Sequence, residues 1–270
     1  MMQTSEAPTV LYEVVGPVAT LTFNRPEQRN RLTPEAMALT RALIERAARD
    51  PAVRALVLTG AGNTFCSGAD LSAAVRADGK DFTGSGPAEL VLLLKALLDC
   101  PKPTIARIQG HVAAGGTGLV ASCDIAIAAA DAKFTFSEVL LGLAPAVISV
   151  ACLAVMHRRD AQELLLTGDR VDAQRVLRAG LITGVFAAES DSPGALDAEV
   201  ARYVAMFVKC GPQALAHTKE LLRRVPTLLR DDAFDWTSGL SAGIFASAEG
   251  VEGMTAYLTK RPPAWDQSAT

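Results

Sequence analysis

The chain has 270 residues, half of them hydrophobic, and a formal net charge of −3. A chain of this length can bury a substantial core in one or two domains, and its balanced charge, with no long run of like charges, argues against a nucleic-acid partner and favours a small-molecule ligand. The longest apolar stretch, from Leu143 to Met156, contains Pro145 and Ser149 and is shorter than the roughly 18–20 residues that cross a bilayer, so no membrane anchor is predicted.

The cysteines and the first residues indicate the compartment. The cysteines are odd in number, far apart and without a Cys-x-x-Cys pair, a pattern that predicts neither a disulfide framework nor a zinc site. The N-terminal residues contain no basic segment followed by an apolar signal core. We therefore expect a cytoplasmic protein without a bound metal and with reduced thiols at Cys66, Cys100, Cys123, Cys152 and Cys210.

The first half of the chain predicts alternating strands and helices. Two β-branched and apolar runs, 10–15 and 18–23, flank a Gly-Pro pair and predict a hairpin. Thr33 before a proline is typical of a helix N-cap, and apolar residues follow at helical spacing as far as Ala47. The next predicted elements are a strand at 53–58, a polar, mobile loop at 72–86, a helix at 87–98, a strand at 104–108, a helix at about 115–122 and a strand at 125–129.

Downstream of residue 140 the patterns are mainly helical. This order predicts an α/β core over residues 1–195 and an all-helical region over 196–270. Alanines on the contact faces of the last helices indicate close helix packing, either within the chain or between subunits. One strand is predicted near 181–185, and helices are predicted at about 145–156, 160–166, 172–178, 195–209, 211–224 and 228–247.

Glu138 follows an alternating apolar pattern. Phe134 and Phe136 alternate with polar residues as in a half-buried strand, and the same face, continued by two residues, arrives at Glu138. A carboxyl group that leaves a buried apolar surface loses hydration, which favours the protonated form and raises its pKa. Glu138 is therefore a candidate for proton exchange near neutral pH.

Two motifs typical of other enzymes lack the context that those enzymes require. Gly60-x-Gly62 follows a predicted strand, but Phe65 occupies the place of the third glycine in a dinucleotide-binding loop. The segment 239–243 matches the G-x-S-x-G nucleophile elbow of serine hydrolases, but it lies in a helical pattern and every histidine precedes it. The contexts of the histidines are typical of solvated or capping side chains at His111, His157 and His217.

Two glycine segments, Gly68-Ala-Asp70 and Gly115-Gly116, leave backbone N–H groups free to donate after predicted strands. Together with their flanking sequences they resemble the crotonase, or enoyl-CoA hydratase/isomerase, family. The likeness covers nearly the whole chain. The segments that carry it are Asn24-Arg-Pro26 with Asn30, TGAGNTFCSGADL, PTIARIQGHVAAGG, CDIAIAAADAKFTFSEVLLGLAP, ELLLTGDRVDAQRVLRAGL and EGVEGMTAYLTKRPPAW.

The resemblance implies a crotonase-type α/β spiral of repeated ββα units with a helical C-terminal trimerisation region, in a homotrimer or a dimer of trimers. The substrate would be an acyl-CoA thioester, and no separate cofactor is expected because CoA is part of the substrate. The backbone N–H groups of Ala69 and Gly115 would form an oxyanion hole, with Glu138 as the acid/base. Substrate-binding residues matched by position are Arg29, Arg31, Ser67, Gly68, Asp70, Leu71, Gly116, Gly118, Ser137, Lys260 and Arg261.

The chain departs from the family pattern at three places. Family hydratases use two glutamates, and Gly118 occupies the position of the first, so that only Glu138 remains. Arg31 replaces a residue that is usually small. The segment 141–149 replaces a Pro-Gly-x-Gly-Gly run and is similar to the bacterial methylglutaconyl-CoA hydratase subgroup, and its Val147-Ile148 pair would reshape the acyl pocket.

Three functions remain open at this point. The subgroup resemblance favours addition of water to a 2-enoyl-CoA, whose acyl group can be branched or carboxylated. Conversion of a 3-enoyl-CoA to a 2-enoyl-CoA is the alternative, because this shift needs only one base. A catalytically silent acyl-CoA-binding or scaffold homologue is the second alternative, because the first glutamate is missing.

Overall fold

The computed structural model describes residues 7–70 and 85–266, which contain two β-sheets. In chain order the strands are β1 (Val10–Val15), β2 (Val18–Phe23), β3 (Ala55–Gly60), β4 (Thr64–Cys66), β5 (Thr104–Ile108), β6 (His111–Ala113), β7 (Ile125–Ala129), β8 (Lys133–Thr135), β9 (Val171–Asp172) and β10 (Gly184–Phe186). The larger sheet has the strand order β1-β2-β3-β5-β7-β10, and the smaller sheet has the order β4-β6-β8-β9.

Parallel pairing dominates both sheets. The hairpin β1–β2 is antiparallel, with Val10 opposite Phe23, and the other pairs of the larger sheet are parallel. In the smaller sheet β4, β6 and β8 are parallel, and β9 is antiparallel to β8. The carboxyl ends of β4, β6 and β8 therefore lie at one edge of the smaller sheet, which is where ligands bind in open parallel sheets.

The α-helices alternate with the strands and then continue beyond them. Within the described ranges they are α1 (Pro34–Arg49), α2 (Ser85–Asp99), α3 (Gly115–Ser122), α4 (Ala146–Val155), α5 (Arg158–Thr167), α6 (Ala173–Arg178), α7 (Ala195–Phe207), α8 (Pro212–Arg224), α9 (Arg230–Ala246) and α10 (Ala248–Leu258). Short 3-10 helices occupy Pro26–Gln28, Ser137–Leu141 and Val225–Thr227.

The larger sheet is covered on both faces. Leu58 of β3 faces a continuous core that includes Ile44 of α1 and Leu93 of α2. Val57, the preceding residue, faces the opposite side and packs in a second cluster with Leu196 of α7. Because successive strand residues point to opposite faces, β3 is buried on both sides, as expected for a central parallel strand.

Most predicted elements are confirmed to within a few residues. The strands at 10–15, 18–23, 104–108 and 125–129 and the helix at 115–122 have the predicted bounds, and the Thr33 side chain accepts a hydrogen bond from the N–H of Ala36 as an N-cap does. The loop predicted at 72–86 lies outside the described residues, apart from its last two positions, which begin α2.

One prediction of secondary structure is wrong, and several elements were not predicted. The strand expected to reach Glu138 ends at Thr135, and Glu138 lies in the following 3-10 helix. The pattern missed the three-residue strands β4 and β6, which are too short to show alternation, and it missed α10 at the C-terminal end. Among the described residues, no helix is both long enough and apolar enough to cross a membrane.

Candidate active site

Three segments meet at the carboxyl edge of the smaller sheet. Strand β4 is followed by Gly68-Ala69, β6 leads to Gly115 at the start of α3, and β8 leads to Glu138. The N–H of Ala114 donates to the carbonyl of Thr135 at 3.0 Å and thus joins the second segment to the third. The parallel register therefore brings the three predicted catalytic positions to one edge of the sheet.

The backbone around Ala69 turns its N–H away from the neighbouring chain segment. The N–H of Leu32 donates to the carbonyl of Gly68 at 2.8 Å, and the N–H of Asp70 donates to the carbonyl of Leu32 at 3.2 Å. In such a parallel bridge the N–H of the intervening residue points to the opposite side. Ala69 is also exposed, so a ligand oxygen can approach its N–H group.

Gly115 supplies a second N–H group on a segment that lies against Gly68. It begins α3, and the N–H groups of a first helical turn have no acceptor within the helix. A Cβ atom built on Gly115 would lie 3.6 Å from the Cα of Gly68, and one built on Gly68 would lie 3.1 Å from the N of Gly115. The two donor segments are therefore in contact, and they can come this close because Gly68 lacks a side chain.

The residue that precedes Gly115 is in an unusual conformation. Ala114 has φ 46° and ψ −120°, a region that favours glycine, and its Cβ lies 2.7 Å from the position of a Cβ on Gly68. Its carbonyl accepts hydrogen bonds from both the N–H and the hydroxyl of Thr117, which fix the first turn of α3. Backbone strain at this point accompanies the sharp entry into α3 that presents the Gly115 N–H.

Glu138 is a half-buried acid with an unsatisfied oxygen. Its Oε2 atom is buried and has no hydrogen-bond partner among the described residues. Burial raises the pKa of the Glu138 carboxyl, and a hydrogen bond from its own backbone partly offsets the rise. Phe134 and Phe136 are buried as predicted, although the 3-10 helix rather than a strand carries Glu138. The buried Oε2 atom without a partner is available to a substrate or to a water molecule.

Gly118 has no space for a side chain. It lies one turn after Gly115 on α3, and a Cβ atom at this position would lie 2.6 Å from Cγ2 of Ile148 on α4. The position that carries the first glutamate in family hydratases is thus closed by an apolar side chain. The neighbouring Gly116 is equally constrained, because its Cβ would lie 2.6 Å from the carbonyl oxygen of Cys66.

The predicted CoA-binding residues fall into two groups. Near the donors, the N–H of Ser67 donates to the carbonyl of Arg29 at 3.1 Å, and Arg31 forms an ion pair with Asp70 at 3.1 Å. These residues border the Gly68-Ala69 segment, and Ser137 begins the 3-10 helix of Glu138. Leu71 lies outside the described residues.

The second group lies at the C-terminal end. Lys260 and Arg261 follow α10 and are exposed. Arg261 makes two hydrogen bonds with the carboxylate of Glu252, at 2.6 and 2.8 Å, so this cation is already neutralised within the chain. In the part of the chain that the structure describes, no hydrogen bond or ion pair joins Lys260 or Arg261 to the donor segments or to Glu138, and their contact with CoA stays a prediction.

A buried asparagine supports the site, and its role was not predicted. Asn30 is 1% exposed and accepts a hydrogen bond from the N–H of Arg25 at 2.9 Å. Its amide donates to the carbonyls of Ala61 and Thr64 at 3.0 and 2.6 Å. It thereby ties the turn before Arg31 to the start of β4. The signal in the sequence is weak, because asparagine is common in turns with positive φ for local reasons as well.

The rival motifs do not contribute to this edge. Gly239 and Gly243 lie inside α9, so the serine-hydrolase motif has no strand–turn–helix setting. His111 is at the start of β6 beside Arg170, and burial and the charge of Arg170 lower the pKa of its imidazole. Within the described residues, no three metal-ligating side chains cluster, and all five cysteines are free thiols.

This arrangement suits reactions in which negative charge develops on an oxygen. Backbone N–H groups that point to one oxygen stabilise an oxyanion, and each such donor is worth roughly 2.7–4 kcal/mol. A carboxyl with a raised pKa nearby can move protons at adjacent carbons. Together these groups fit the formation and reprotonation of an enolate.

The comparisons with known proteins agree with this chemistry. A family model described as enoyl-CoA hydratase/isomerase matches residues 13–268. Enoyl-CoA hydratase EchA19 of Mycobacterium tuberculosis is 33% identical over 267 residues, which cover 97% of this chain and 98% of that protein.

Solved structures give the same assignment. AtuE of Pseudomonas aeruginosa is 33% identical with a TM-score of 0.89, and the match covers 96% of this chain and 100% of that chain. An enoyl-CoA hydratase from Shewanella pealeana is 32% identical with a TM-score of 0.88, over 96% and 97% of the two chains. The chain described here therefore belongs to the enoyl-CoA hydratase/isomerase, or crotonase, family.

Proposed function

We propose that the protein adds water to the double bond of a 2-enoyl-CoA, with Glu138 as the acid/base. The observation that carries this proposal is the buried, unpartnered Oε2 of Glu138 at the sheet edge that also presents the Ala69 and Gly115 segments. A fully solvated carboxylate would have no comparable reason to hold a raised pKa.

In the proposed reaction the thioester oxygen accepts hydrogen bonds from the N–H groups of Ala69 and Gly115. Ionised Glu138 accepts a proton from a water molecule whose oxygen adds to the β-carbon, and the electron pair of the double bond shifts onto the thioester as an enolate. Protonated Glu138 then returns a proton to the α-carbon. Water is added overall, and the carboxylate is regenerated.

The same groups support a second candidate, isomerisation of a 3-enoyl-CoA to a 2-enoyl-CoA. Here Glu138 would remove a proton from the α-carbon and return it to the γ-carbon through the same enolate. The observation that favours this candidate is the closed position at Gly118, because isomerisation needs one base. Hydration remains our first choice because two of the relatives named above, the Mycobacterium tuberculosis and Shewanella pealeana proteins, are called enoyl-CoA hydratases.

We propose that the acyl group is a 2-enoyl chain. Branched or carboxylated chains are included, because the segment 141–149 is similar to that of the methylglutaconyl-CoA hydratase subgroup. CoA would enter as part of the substrate along the turn of Arg29 and the Ser67–Asp70 segment. The Arg31–Asp70 ion pair lies on this path, so Arg31 reaches a phosphate only if it leaves Asp70. Arg261 would likewise have to exchange its contact with Glu252.

We further propose that the chain assembles as a homotrimer or a dimer of trimers. The C-terminal helices expose large apolar side chains, with Phe245 of α9 64% exposed and Leu258 of α10 78% exposed. Exposed apolar surface on this scale is typical of contacts between proteins. Its position on the last helices supports contacts with further copies of the chain.

The absorbance of the conjugated thioester tests the reaction directly. Purified protein is incubated with crotonyl-CoA and, separately, with 3-butenoyl-CoA and a branched 2-enoyl-CoA. Loss of conjugation in a 2-enoyl-CoA is the expected result and means hydration, whereas gain of conjugation from 3-butenoyl-CoA means isomerisation. No change with any substrate, together with tight binding of CoA thioesters, would replace both proposals with a silent binding protein.

A further inference from the structure

Gly118 and Ile148 meet beside the donor Gly115. Gly118 lies one turn after Gly115 on α3, and Ile148 lies near the start of α4, which packs against α3. A Cβ atom on residue 118 would lie 2.6 Å from Cγ2, 3.0 Å from Cβ and 3.5 Å from Cα of Ile148. The first of these distances is too short for real carbon atoms, so Ile148 already occupies the volume that a side chain at position 118 would need.

Ile148 has little freedom to move aside. It is 2% exposed, and a β-branched side chain in a helix is restricted to few χ1 rotamers. Cys152, one turn further along α4, is buried as well, and its Sγ lies 3.8 Å from the carbonyl oxygen of Thr117. Burial, with a smaller contribution from the charge of Glu138, raises the pKa of the Cys152 thiol to about 12. The buried face of α4 therefore packs on α3 through Ile148 and Cys152.

We propose that Ile148 is a specificity-determining residue that limits this site to a single acid/base group. This inference rests on the proposed function, in which Glu138 is that group. Because Ile148 closes the space over Gly118, neither a second carboxylate nor a water molecule held by it fits on the α3 side of the acyl group. Proton transfer is confined to the side on which Glu138 lies.

A thermal double-mutant cycle tests the steric part without any substrate. Its members are Gly118→Ala, Ile148→Ala and the double variant, with Gly243→Ala as the matched control because nothing lies within 4 Å of a Cβ on that helical glycine. Alanine is the better helix former, so the control is expected to keep or raise its melting temperature. Gly118→Ala is expected to lower the melting temperature by about 5 °C, because the cost of overpacking exceeds the gain in helix propensity.

The cycle has a clear contrary result. In the Ile148→Ala background the added methyl group is expected to cost nothing, because the cavity accepts it. If Gly118→Ala instead matches the Gly243→Ala control in the presence of Ile148, the two residues do not compete for space and the inference is wrong. This outcome is independent of the reaction that the enzyme catalyses.

A second double-mutant cycle, measured by enzyme activity, tests whether Ile148 limits the number of acid/base groups in the site. Gly118→Glu is expected to lose at least about 10-fold in kcat/KM for crotonyl-CoA, because the carboxylate displaces packed side chains. Gly118→Glu with Ile148→Gly is expected to recover most of that loss and to show a second carboxyl ionisation in the pH profile of kcat/KM. If the double variant regained activity without a second ionisation in the pH profile, removal of Ile148 would have repaired only the packing, and the inference would be wrong.

Failure of this inference can be told apart from failure of the proposed function. If the wild-type protein hydrates no enoyl-CoA, the proposed function fails, and the thermal cycle still decides whether Ile148 excludes a side chain at 118. If the wild type is active and the folded double variant, checked by circular dichroism, is no better than Gly118→Glu, Ile148 does not set the number of acids.

Discussion

Glycines of the candidate site and glycines of the C-terminal helices have opposite surroundings. A Cβ atom on Gly68, Gly116 or Gly118 would lie 2.6–2.7 Å from atoms of neighbouring segments. A Cβ on Gly239 or Gly243 in α9 would meet nothing within 4 Å. Near the site, glycine permits close approach between segments, whereas in α9 it leaves a helix with open space around it.

Packing shows the same contrast. Every residue of α3 is buried, and the helix is enclosed by β4, α2 and α4. By comparison, α8 and α9 contain no fully buried residue, and the exposed side chain of Phe234 is 69% accessible. The candidate site therefore lies in the enclosed core of the chain, whereas the C-terminal helices α8 and α9 are largely exposed.

The largest expected effect concerns the acid that lies in the enclosed region. Glu138→Gln keeps the shape of the side chain and removes its ability to exchange a proton. We expect kcat for the active substrate to fall by about 10²–10⁴-fold, with a much smaller change in KM. Glu35→Gln, which alters an exposed carboxylate in α1, is the matched control. Full turnover by Glu138→Gln would show that another group moves the proton.

The next effect compares two alanine substitutions directly. Gly116→Ala places a methyl group 2.6 Å from the carbonyl oxygen of Cys66, a backbone atom that cannot turn away. We expect this variant to lose about 1–3 kcal/mol in the free energy of unfolding, whereas Gly239→Ala is expected to gain up to about 1 kcal/mol. Urea unfolding of the two variants measures both values. Equal effects would remove the contrast between the two sets of glycines.

The exposed helices supply a third test. Aspartate at Phe245 or Leu258 would place a charge in a surface that we expect to be buried between copies of the chain. Light scattering should show a smaller particle for Phe245→Asp and Leu258→Asp than for the wild type. Val15→Asp, at another exposed apolar residue in the β1–β2 hairpin, should leave the mass unchanged. An unchanged mass for both C-terminal variants would move the interface elsewhere.

The sequence indicated the candidate catalytic positions more clearly than it indicated the backbone that brings them to one edge of the sheet. Glycine pairs after strands and a carboxylate after an apolar pattern are local signals, and they led to Ala69, Gly115 and Glu138. The three-residue strands that bring these positions together were missed, because β4 and β6 are defined by pairing with each other and by nothing within their own sequence. Contacts that join distant segments are not recorded in local patterns.

The same limit explains the residues whose roles were missed. The contact between Ile148 and Gly118 depends on how α4 packs on α3, although the resemblance had indicated that the segment of Ile148 would reshape the pocket. The positive φ of Ala114 could not be predicted from the sequence, because alanine rarely adopts this conformation. The ion pair between Arg31 and Asp70 joins residues far apart in the chain.

A smaller effect follows from the burial of Glu138. Its pKa is raised in the folded state, so the folded protein holds this proton more tightly than the unfolded chain, whose glutamates titrate near pH 4.3. The free energy of unfolding therefore contains a contribution that is complete below that pH and is lost as pH rises through the folded-state pKa. Glu138→Gln should become more stable relative to the wild type between pH 4 and pH 8.

Melting temperatures of the two proteins across this range measure the difference. The activity should follow the same ionisation with the opposite sign: as a base toward water, Glu138 works in its charged form, so kcat/KM should rise with pH through a value above the ordinary glutamate range. A constant stability difference between the wild type and Glu138→Gln would mean that the carboxyl has no raised pKa.

The smallest effect concerns strain at the entrance to α3. Ala114→Gly relieves an alanine held at φ 46°, which costs of the order of 1–3 kcal/mol, but it also increases the freedom of the unfolded chain by about 0.5–1 kcal/mol. We therefore expect a net gain of about 1 kcal/mol in the free energy of unfolding. Ala113→Gly, one residue earlier in β6, carries the entropic cost alone and should be destabilised. If both variants lost stability equally, the conformation of Ala114 would not be strained, and the sharp entry into α3 would be an ordinary turn.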